Sequence, residues 1–180
     1  MIIINIYSGL NINELKLLGQ GTQGKVYQID STKCIKIFKR RKVCTAELET
    51  LIMAQKDSHF PILYEHGNNY IIREYIGGLE LDKYLASNDL TPDISIKIIE
   101  LYEAMKTVGY GRLDAALFHI FLTPNNDIKL IDTARAMKKN SIYPKLIITG
   151  LKELGYKDDF LCHVKVFNPQ LYYKWMEISK

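Results

Sequence analysis

Two aspartates and a histidine stand in apolar surroundings, where burial would set their chemistry. Asp114 interrupts the stretch "RLDAALFH", and His119 follows it five residues later. A strand-like run then ends at Asp132. Carboxylates and imidazoles accept protons in catalysis and hold metal ions. Each aspartate also has a structural explanation, because aspartate commonly caps a turn or ends a strand.

A glycine-rich turn lies nearer the N-terminus. The stretch "GQGTQGKV" places Gly19, Gly21 and Gly24 between two strand-like runs. Glycine lets backbone amides approach phosphate oxygens closely, although a glycine-rich turn without a ligand is about as common. The turn is not a dinucleotide-binding fingerprint, because a strand rather than a helix follows it, and it lacks the Gly-Lys-Ser/Thr of a P-loop.

Lys36 is a candidate for a buried, paired ammonium group. Its two neighbours on the same strand face, Cys34 and Phe38, are apolar, although an exposed strand lysine is a common alternative. A buried lysine needs a carboxylate partner to stay charged. The helix predicted next offers Glu47 and Glu49. We favour Glu47, because it lies four residues before an apolar leucine and so shares its helix face.

The first 76 residues are predicted to form a small antiparallel sheet with one helix. Side chains alternate on both sides of the glycine turn and again over residues 33–39, which indicates strands. A helix is expected over residues 44–56, with Thr45 as its N-cap. Residues 61–76 then form two strands joined by a turn, and the part ends before Gly77-Gly78.

Residues 77–180 are predicted to be mainly helical. Thr91-Pro92 opens a long helix that ends at Gly109, because threonine caps helices and proline suits their first turn. A hairpin follows over residues 119–132, then two or three short helices, the last starting at Asn168-Pro169. The fold class is therefore α+β, with the ligand site expected between the two parts.

Composition excludes several classes of protein. The chain is 47% hydrophobic and 24% charged, as in folded globular proteins. Its net charge of +4 suits an anionic ligand but is too small to indicate nucleic acid as a partner. Three cysteines without disulfide or zinc spacing favour a cytoplasmic location. The start lacks the features of a signal peptide, and no apolar run is long enough to span a membrane, so no membrane partner is expected.

The order of these motifs resembles that of the protein-kinase superfamily over residues 15–137. A glycine-rich loop, a strand lysine, a helix glutamate, a hinge and two aspartates follow one another as in that family. The resemblance implies that the three glycines contact the phosphates of ATP. It also implies that Lys36, held by Glu47, positions the α and β phosphates.

The same resemblance assigns the remaining site residues. "REYIGG" is similar to a kinase hinge, so the backbone of Glu74 and Ile76 would bind adenine between Val26 and Cys34. "LDAALFHIFL" is similar to a catalytic loop, which makes Asp114 the base and puts His119 at a metal-binding position. "KLIDTARA" is similar to the metal-binding segment, so Asp132 would bind Mg²⁺ or Mn²⁺.

The resemblance implies a bilobal kinase-like fold of the compact bacterial or RIO-like atypical type. Residues 1–76 would be the N-lobe, an antiparallel sheet with one helix. Residues 77–180 would be a truncated helical C-lobe containing the catalytic loop and the metal-binding segment. Only 48 residues follow Asp132, so most of the usual substrate-binding region is missing.

Several positions depart from the kinase pattern. Arg112-Leu113 stand where His-Arg is usual, and Ala116 stands where a lysine is usual. His119 replaces an asparagine, and imidazole suits manganese or zinc better than magnesium. Thr133-Ala134 replace Phe-Gly.

Three functions follow from the pattern and its departures. The first is a Ser/Thr protein kinase, in which Asp114 orients a hydroxyl of the protein substrate and takes its proton. The second is a pseudokinase that binds a nucleotide or a protein partner without turnover. The third is a small-molecule kinase of the aminoglycoside-kinase type, against which the short C-terminal part counts.

Overall fold

Residues 6–138 and 140–178 are described by the structure, a computed structural model. Over these residues strands dominate up to Glu74 and helices dominate afterwards. Neighbouring strands pair antiparallel in every sheet of the described chain. The predicted α+β class is confirmed. Residues 1–5, which are most of the N-terminal segment considered as a signal peptide, lie outside the described residues.

A five-stranded sheet forms the first half of the fold, in the order β3-β4-β5-β7-β6. A short β1–β2 hairpin precedes it. The strands are β1 (Ile6–Tyr7), β2 (Leu10–Asn11), β3 (Lys16–Gln20), β4 (Gly24–Gln28), β5 (Lys33–Phe38), β6 (Leu63–His66) and β7 (Tyr70–Glu74). The glycine-rich turn joins β3 to β4, as the sequence predicts.

The two faces of the central strand β5 are covered by different elements. Phe38 and Ile71 pack with residues of the helix α1 (Arg41–Met53) on one face. Ile35 and Ile72 pack with the N-terminal segment on the other. Because side chains alternate along a strand, Lys36 shares the face of Phe38 and is directed towards α1.

Helix α1 begins earlier than the sequence pattern indicates. Arg40 occupies the N-cap position and makes no side-chain cap hydrogen bond. The predicted start near residue 44, with Thr45 as its cap, is wrong, since Thr45 lies inside the helix. Only Lys39 and Arg40 separate β5 from α1, so the short connection sets the start of the helix rather than a capping side chain.

Helices and a small sheet form the second half of the fold. Strands β8 (Leu79–Glu80), β9 (Ile120–Leu122) and β10 (Ile128–Leu130) pair in the order β10-β9-β8. The helices are α2 (Leu81–Leu85), α3 (Pro92–Thr107), α4 (Lys145–Glu153), α5 (Lys157–Phe167) and α6 (Pro169–Ile178). The Thr91 side chain accepts a hydrogen bond from the Ile94 amide at 3.3 Å, which confirms the predicted cap of α3.

The larger hydrophobic core lies among these helices. Trp175 of α6 is buried against Tyr102 of α3, with ring centroids 5.0 Å apart, and stacks near Phe160 of α5. The core continues to the β9–β10 hairpin through Ile120 and Leu130. The hairpin is thereby fixed to the helical core. Leu130 and the residues after it line a cavity whose other wall is the five-stranded sheet. Within the described helices, none is both long and apolar enough to cross a membrane.

Candidate functional site

A cavity of about 650 Å³ lies between the five-stranded sheet and the segments around β9 and β10. The glycine turn, β5 and β7 form one wall, and residues 110–119, residues 130–136 and the start of α4 form the other. The predicted site residues that line it are Gly19, Gly21, Gly24, Val26, Lys36, Asp114, His119 and Asp132. Residues distant in the chain are therefore brought to one cavity.

Lys36 stands between two carboxylates at the back of the cavity. Its Nζ lies 2.6 Å from Oε2 of Glu47 and 3.5 Å from Oδ2 of Asp132. The Lys36 and Glu47 side chains are 8% and 4% exposed. Glu49 is exposed, so the predicted choice of Glu47 as the lysine's partner agrees with the structure.

Asp132 has an unusual backbone conformation. Its φ is +59°, in the left-handed region that residues other than glycine rarely adopt. Its carboxylate points towards Lys36, and Oδ2 lies 3.8 Å from Nε2 of His119. A residue held in this conformation is supported by its surroundings, and such strain is concentrated at functional positions.

Burial and neighbouring charges shift the pKa values of Glu47, Asp132 and His119. Burial raises the pKa of Glu47, an effect that the neighbouring Lys36 only partly offsets. Burial also opposes ionisation of Asp132, but Lys36 and His119 outweigh it and hold the pKa of Asp132 below its usual range. Burial lowers the pKa of His119, although the neighbouring Asp132 carboxylate acts in the opposite direction.

Hydrogen bonds made by buried hydroxyl groups join α1 to the segment that contains Asp132. The hydroxyls of Thr50 and Thr133 lie 2.8 Å apart, and both residues are buried. The Tyr110 hydroxyl donates to the Thr50 carbonyl at 2.9 Å. Because Thr50 is one turn from Glu47 and Thr133 follows Asp132, these bonds fix the two carboxylates relative to each other. Sequence reasoning missed this connection, whose only signal is a threonine placed where the kinase pattern has phenylalanine.

Asp114 lines the cavity but is also bound to a helix terminus. Its two carboxylate oxygens accept hydrogen bonds from the Leu146 amide at 2.9 and 3.0 Å and from the Ile147 amide at 3.3 Å. Nη2 of Arg112 lies 3.4 Å from Oδ2. Pro144, at the N-cap position of α4, makes no side-chain cap hydrogen bond, so Asp114 supplies that function from a distant segment. Burial raises its pKa, although the two amides act in the opposite direction.

The three glycines of the turn have different surroundings. A Cβ at Gly19 or Gly21 would meet no atom within 4 Å. A Cβ at Gly24 would lie 2.0 Å from the Ile37 carbonyl oxygen, so the close approach of β4 to β5 requires glycine there. Gly19 and Gly21 line the cavity and leave space beside it, while the contact of Gly24 with Ile37 holds β4 close to β5.

The predicted adenine-binding residues other than Val26 do not line the cavity. Cys34 is buried, with Sγ 3.6 Å from the Glu74 carbonyl oxygen, and that oxygen also accepts a hydrogen bond from Arg73 Nη1 at 3.1 Å. The Glu74 carboxylate binds Lys129 at 2.7 Å. Ile76 is buried as well. The role of this segment in binding a base remains a prediction.

Arg73 does line the cavity, and sequence reasoning missed it. It is a charged residue in the apolar run "YIIREY", on the strand β7 that pairs with β5. The signal was present, since a charge at a core position of a central strand calls for a partner.

Sequence reasoning assigned Asp132 and His119 to a metal ion, and both side chains lie at the cavity wall. Across residues 6–138 and 140–178, no group of three or more His, Cys, Asp or Glu side chains could hold a metal ion without further ligands. A metal at this pair would therefore need oxygens from a ligand and from water. Magnesium is commonly bound in that way, through one or two carboxylates and substrate phosphates.

A scan against protein-family models finds no family that matches the chain. A search of curated proteins also finds no match.

Proposed function

We propose that this protein is a nucleoside-triphosphate-dependent phosphotransferase that transfers the γ-phosphoryl group to a hydroxyl, with a serine or threonine of a protein as the acceptor. The observation that supports it most is the position of Lys36 between Glu47 and Asp132, in a cavity bordered by the glycine turn. A cation, an ionised carboxylate and open backbone amides together suit a metal-bound triphosphate.

The kinase-like bilobal fold is part of the same proposal. The antiparallel sheet with α1 would be the N-lobe, over residues 1–76, and the helical part after Gly77-Gly78 would be a short C-lobe. Gly78 supports a joint at this position, because its φ is +109° and a Cβ there would lie 2.0 Å from the Leu122 carbonyl oxygen. The cavity between the two parts is where a nucleotide would bind.

Each residue of the cavity has a role in this proposal. Lys36 would bind oxygens of the α and β phosphates, and the amides of the glycine turn would contact the phosphates from the other side. Asp132, with His119, would hold Mg²⁺ or Mn²⁺. When bound, the metal neutralises charge on the phosphate oxygens. The resemblance to kinases names ATP as the nucleotide.

Asp114 would act on the acceptor. Its carboxylate would orient the hydroxyl and take its proton while the hydroxyl oxygen bonds to the γ-phosphorus and the nucleoside diphosphate leaves. Its raised pKa supports this role, since a carboxyl group with a higher pKa is a better proton acceptor. Catalysis of this kind consists mostly of positioning and charge stabilisation.

A pseudokinase is the second candidate, and the surroundings of Asp114 favour it. Both oxygens of the proposed base accept hydrogen bonds from the start of α4. Ala116 also leaves the phosphoryl group without the positive charge that a lysine would supply. The two candidates share nucleotide binding and differ in turnover.

Transfer of labelled γ-phosphate separates them. We would incubate the protein with γ-labelled ATP or GTP, with Mg²⁺ or Mn²⁺, and measure both autophosphorylation and release of phosphate. The variants are Asp114→Asn and Asp132→Asn, with Asp127→Asn, an exposed aspartate of the hairpin turn, as the matched control. A kinase predicts that the first two lose at least about tenfold in rate, Asp114→Asn because it removes the proton acceptor and Asp132→Asn because it weakens the metal site. Equal rates for Asp114→Asn and the parent would exclude Asp114 as the base, and no turnover with retained nucleotide binding would identify a pseudokinase.

A further inference from the structure

Arg73 is a buried cation that lacks a carboxylate partner in the described chain. The residue is 6% exposed, and its Nη1 donates to the Glu74 backbone carbonyl at 3.1 Å. Its Nε is buried and makes no hydrogen bond. No ion pair joins Arg73 to any aspartate or glutamate within residues 6–138 and 140–178. The nearby carboxylates of Glu47 and Asp132 are instead paired with Lys36.

A buried guanidinium group with an unused donor requires an explanation, because desolvating a charge without hydrogen bonds is costly. Arg73 lines the same cavity as Lys36 and the glycine turn. A ligand in that cavity which offers acceptors to the guanidinium group of Arg73 would offset part of this cost. The position of Arg73 therefore favours a ligand that carries an oxygen or nitrogen hydrogen-bond acceptor.

The strand register shows which end of a ligand Arg73 would meet. Gly24 at the glycine turn is opposite Phe38, Val26 is opposite Lys36, and Cys34 is opposite Arg73. Arg73 is therefore two residues further from the turn than Lys36 along β5, about 7 Å at the rise of an antiparallel strand. If the triphosphate lies between the glycine turn and Lys36, Arg73 lies towards the base.

From this position we infer that Arg73 selects the base of the nucleotide, and that the protein prefers guanine or hypoxanthine to adenine. Guanine and hypoxanthine present two adjacent acceptors, O6 and N7, which match the paired donors of a guanidinium group. Adenine has an amino donor in place of O6, so it would meet Arg73 donor to donor. The inference rests on the proposed nucleotide binding and replaces ATP, which the resemblance implies, with GTP.

Binding of three nucleotides to the full chain tests the preference. We would measure dissociation constants of GTP, ITP and ATP by titration calorimetry in the presence of Mg²⁺. ITP has the O6 acceptor but lacks the 2-amino group of guanine, so it isolates the contact with O6. The unmodified protein should bind GTP and ITP about tenfold or more tightly than ATP, as expected for one discriminating Arg–base pair.

Variants at position 73 show whether the arginine is the cause. Arg73→Met removes the donors, and we expect the ratio of GTP to ATP affinity to fall to near one, mainly through weaker GTP binding. Arg73→Lys, which keeps the charge without the paired donors, should lose most of the preference. Arg40→Met changes an exposed arginine outside the cavity and should leave the ratio unchanged.

The outcomes that overturn the inference are distinct. Equal or tighter binding of ATP in the unmodified protein, with affinity that depends on Lys36, would overturn the base preference and leave the proposed function standing. A uniform loss of affinity for all three nucleotides in Arg73→Met would identify a phosphate contact and overturn the preference as well. No binding of any of the three by the unmodified protein would overturn the proposed function together with the preference.

Discussion

The carboxylate of Asp114 accepts hydrogen bonds from the first amides of α4, and burial raises its pKa. The sequence offered two explanations for this residue, a base in a catalytic loop and a cap of a local element. The structure supplies the contacts of a cap, and it also places the residue at the cavity wall. A substitution of Asp114 should therefore change the stability of the fold as well as any chemistry in the cavity.

The raised pKa of Asp114 has a definite sign in the pH dependence of stability. Because its folded pKa is above its unfolded pKa, near 3.9, its contribution is present below the unfolded pKa and is lost as pH rises through the folded pKa. Asp114→Asn removes this titration. We expect the free energy of unfolding of the variant, relative to the parent, to increase as pH rises from about 4 to about 7.

Chemical denaturation at several pH values measures this difference. Asp89→Asn, a change at an exposed aspartate, is the control, and its difference from the parent should vary less with pH. A difference for Asp114→Asn that decreases as pH rises would mean that the amides of α4, rather than burial, dominate the pKa of Asp114.

Single residues also show how far sequence reasoning reaches. Lys36 and Glu47 could be paired from the sequence, because apolar neighbours on the same strand face indicate burial and a buried lysine requires a carboxylate. Arg73 satisfied the same conditions but was treated only as the start of a hinge motif. Its missing partner depends on which side chains surround it, and strand alternation alone does not provide that.

At the level of elements, the bond between Thr50 and Thr133 links α1 to the segment after β10. It is one of the contacts by which Glu47 and Asp132 are held at the same lysine. Thr133→Val should cost about 1 kcal/mol of stability, the usual value for a buried hydrogen bond. The Thr50→Val/Thr133→Val double variant should cost less than the sum of the single changes, because the two hydroxyls bond to each other.

A double-mutant cycle by denaturant unfolding measures that coupling. Thr45→Val, on the exposed side of the same helix, controls for the change in side-chain type. Additive effects of the two buried substitutions would show that the hydroxyl contact does not connect the elements energetically.

The glycine turn allows a second test of an element. Gly24→Ala should destabilise the protein by about 1–3 kcal/mol, because its Cβ would overlap the Ile37 carbonyl oxygen and force the strands apart. Gly21→Ala meets no atom within 4 Å and should leave stability within about 0.5 kcal/mol of the parent. Thermal unfolding of both variants makes the comparison, and similar melting temperatures would contradict the role of Gly24 in strand packing.

The sequence predicted the boundaries of helices correctly where a local signal sets them. Thr91-Pro92 and Asn168-Pro169 start α3 and α6 as predicted, because a capping side chain and a proline act within one turn. The start of α1 was wrong, because a two-residue connection and packing on β5 set it. The attachment of α4 to Asp114 was also unforeseen, since it joins residues far apart in the chain.

The whole molecule has a sheet with one helix, followed by a helical part, and a cavity with walls from both. The order of motifs was sufficient to predict which distant residues share that cavity. It was not sufficient to predict the surroundings of Glu74 and Ile76, which do not line it. The account of function depends on the convergence of Lys36 and Asp132 on one ligand.

The most direct test of that convergence is the shift in melting temperature caused by a nucleotide with Mg²⁺, measured for each protein against its own ligand-free value. At about one hundred times the dissociation constant, GTP or ATP should raise the melting temperature of the parent by about 5–10 °C. We expect Lys36→Ala to lose most of this shift, and Lys25→Ala, at an exposed lysine of β4 outside the cavity, to keep it. An equal shift in Lys36→Ala and the parent, or no shift in the parent with either nucleotide, would contradict the account.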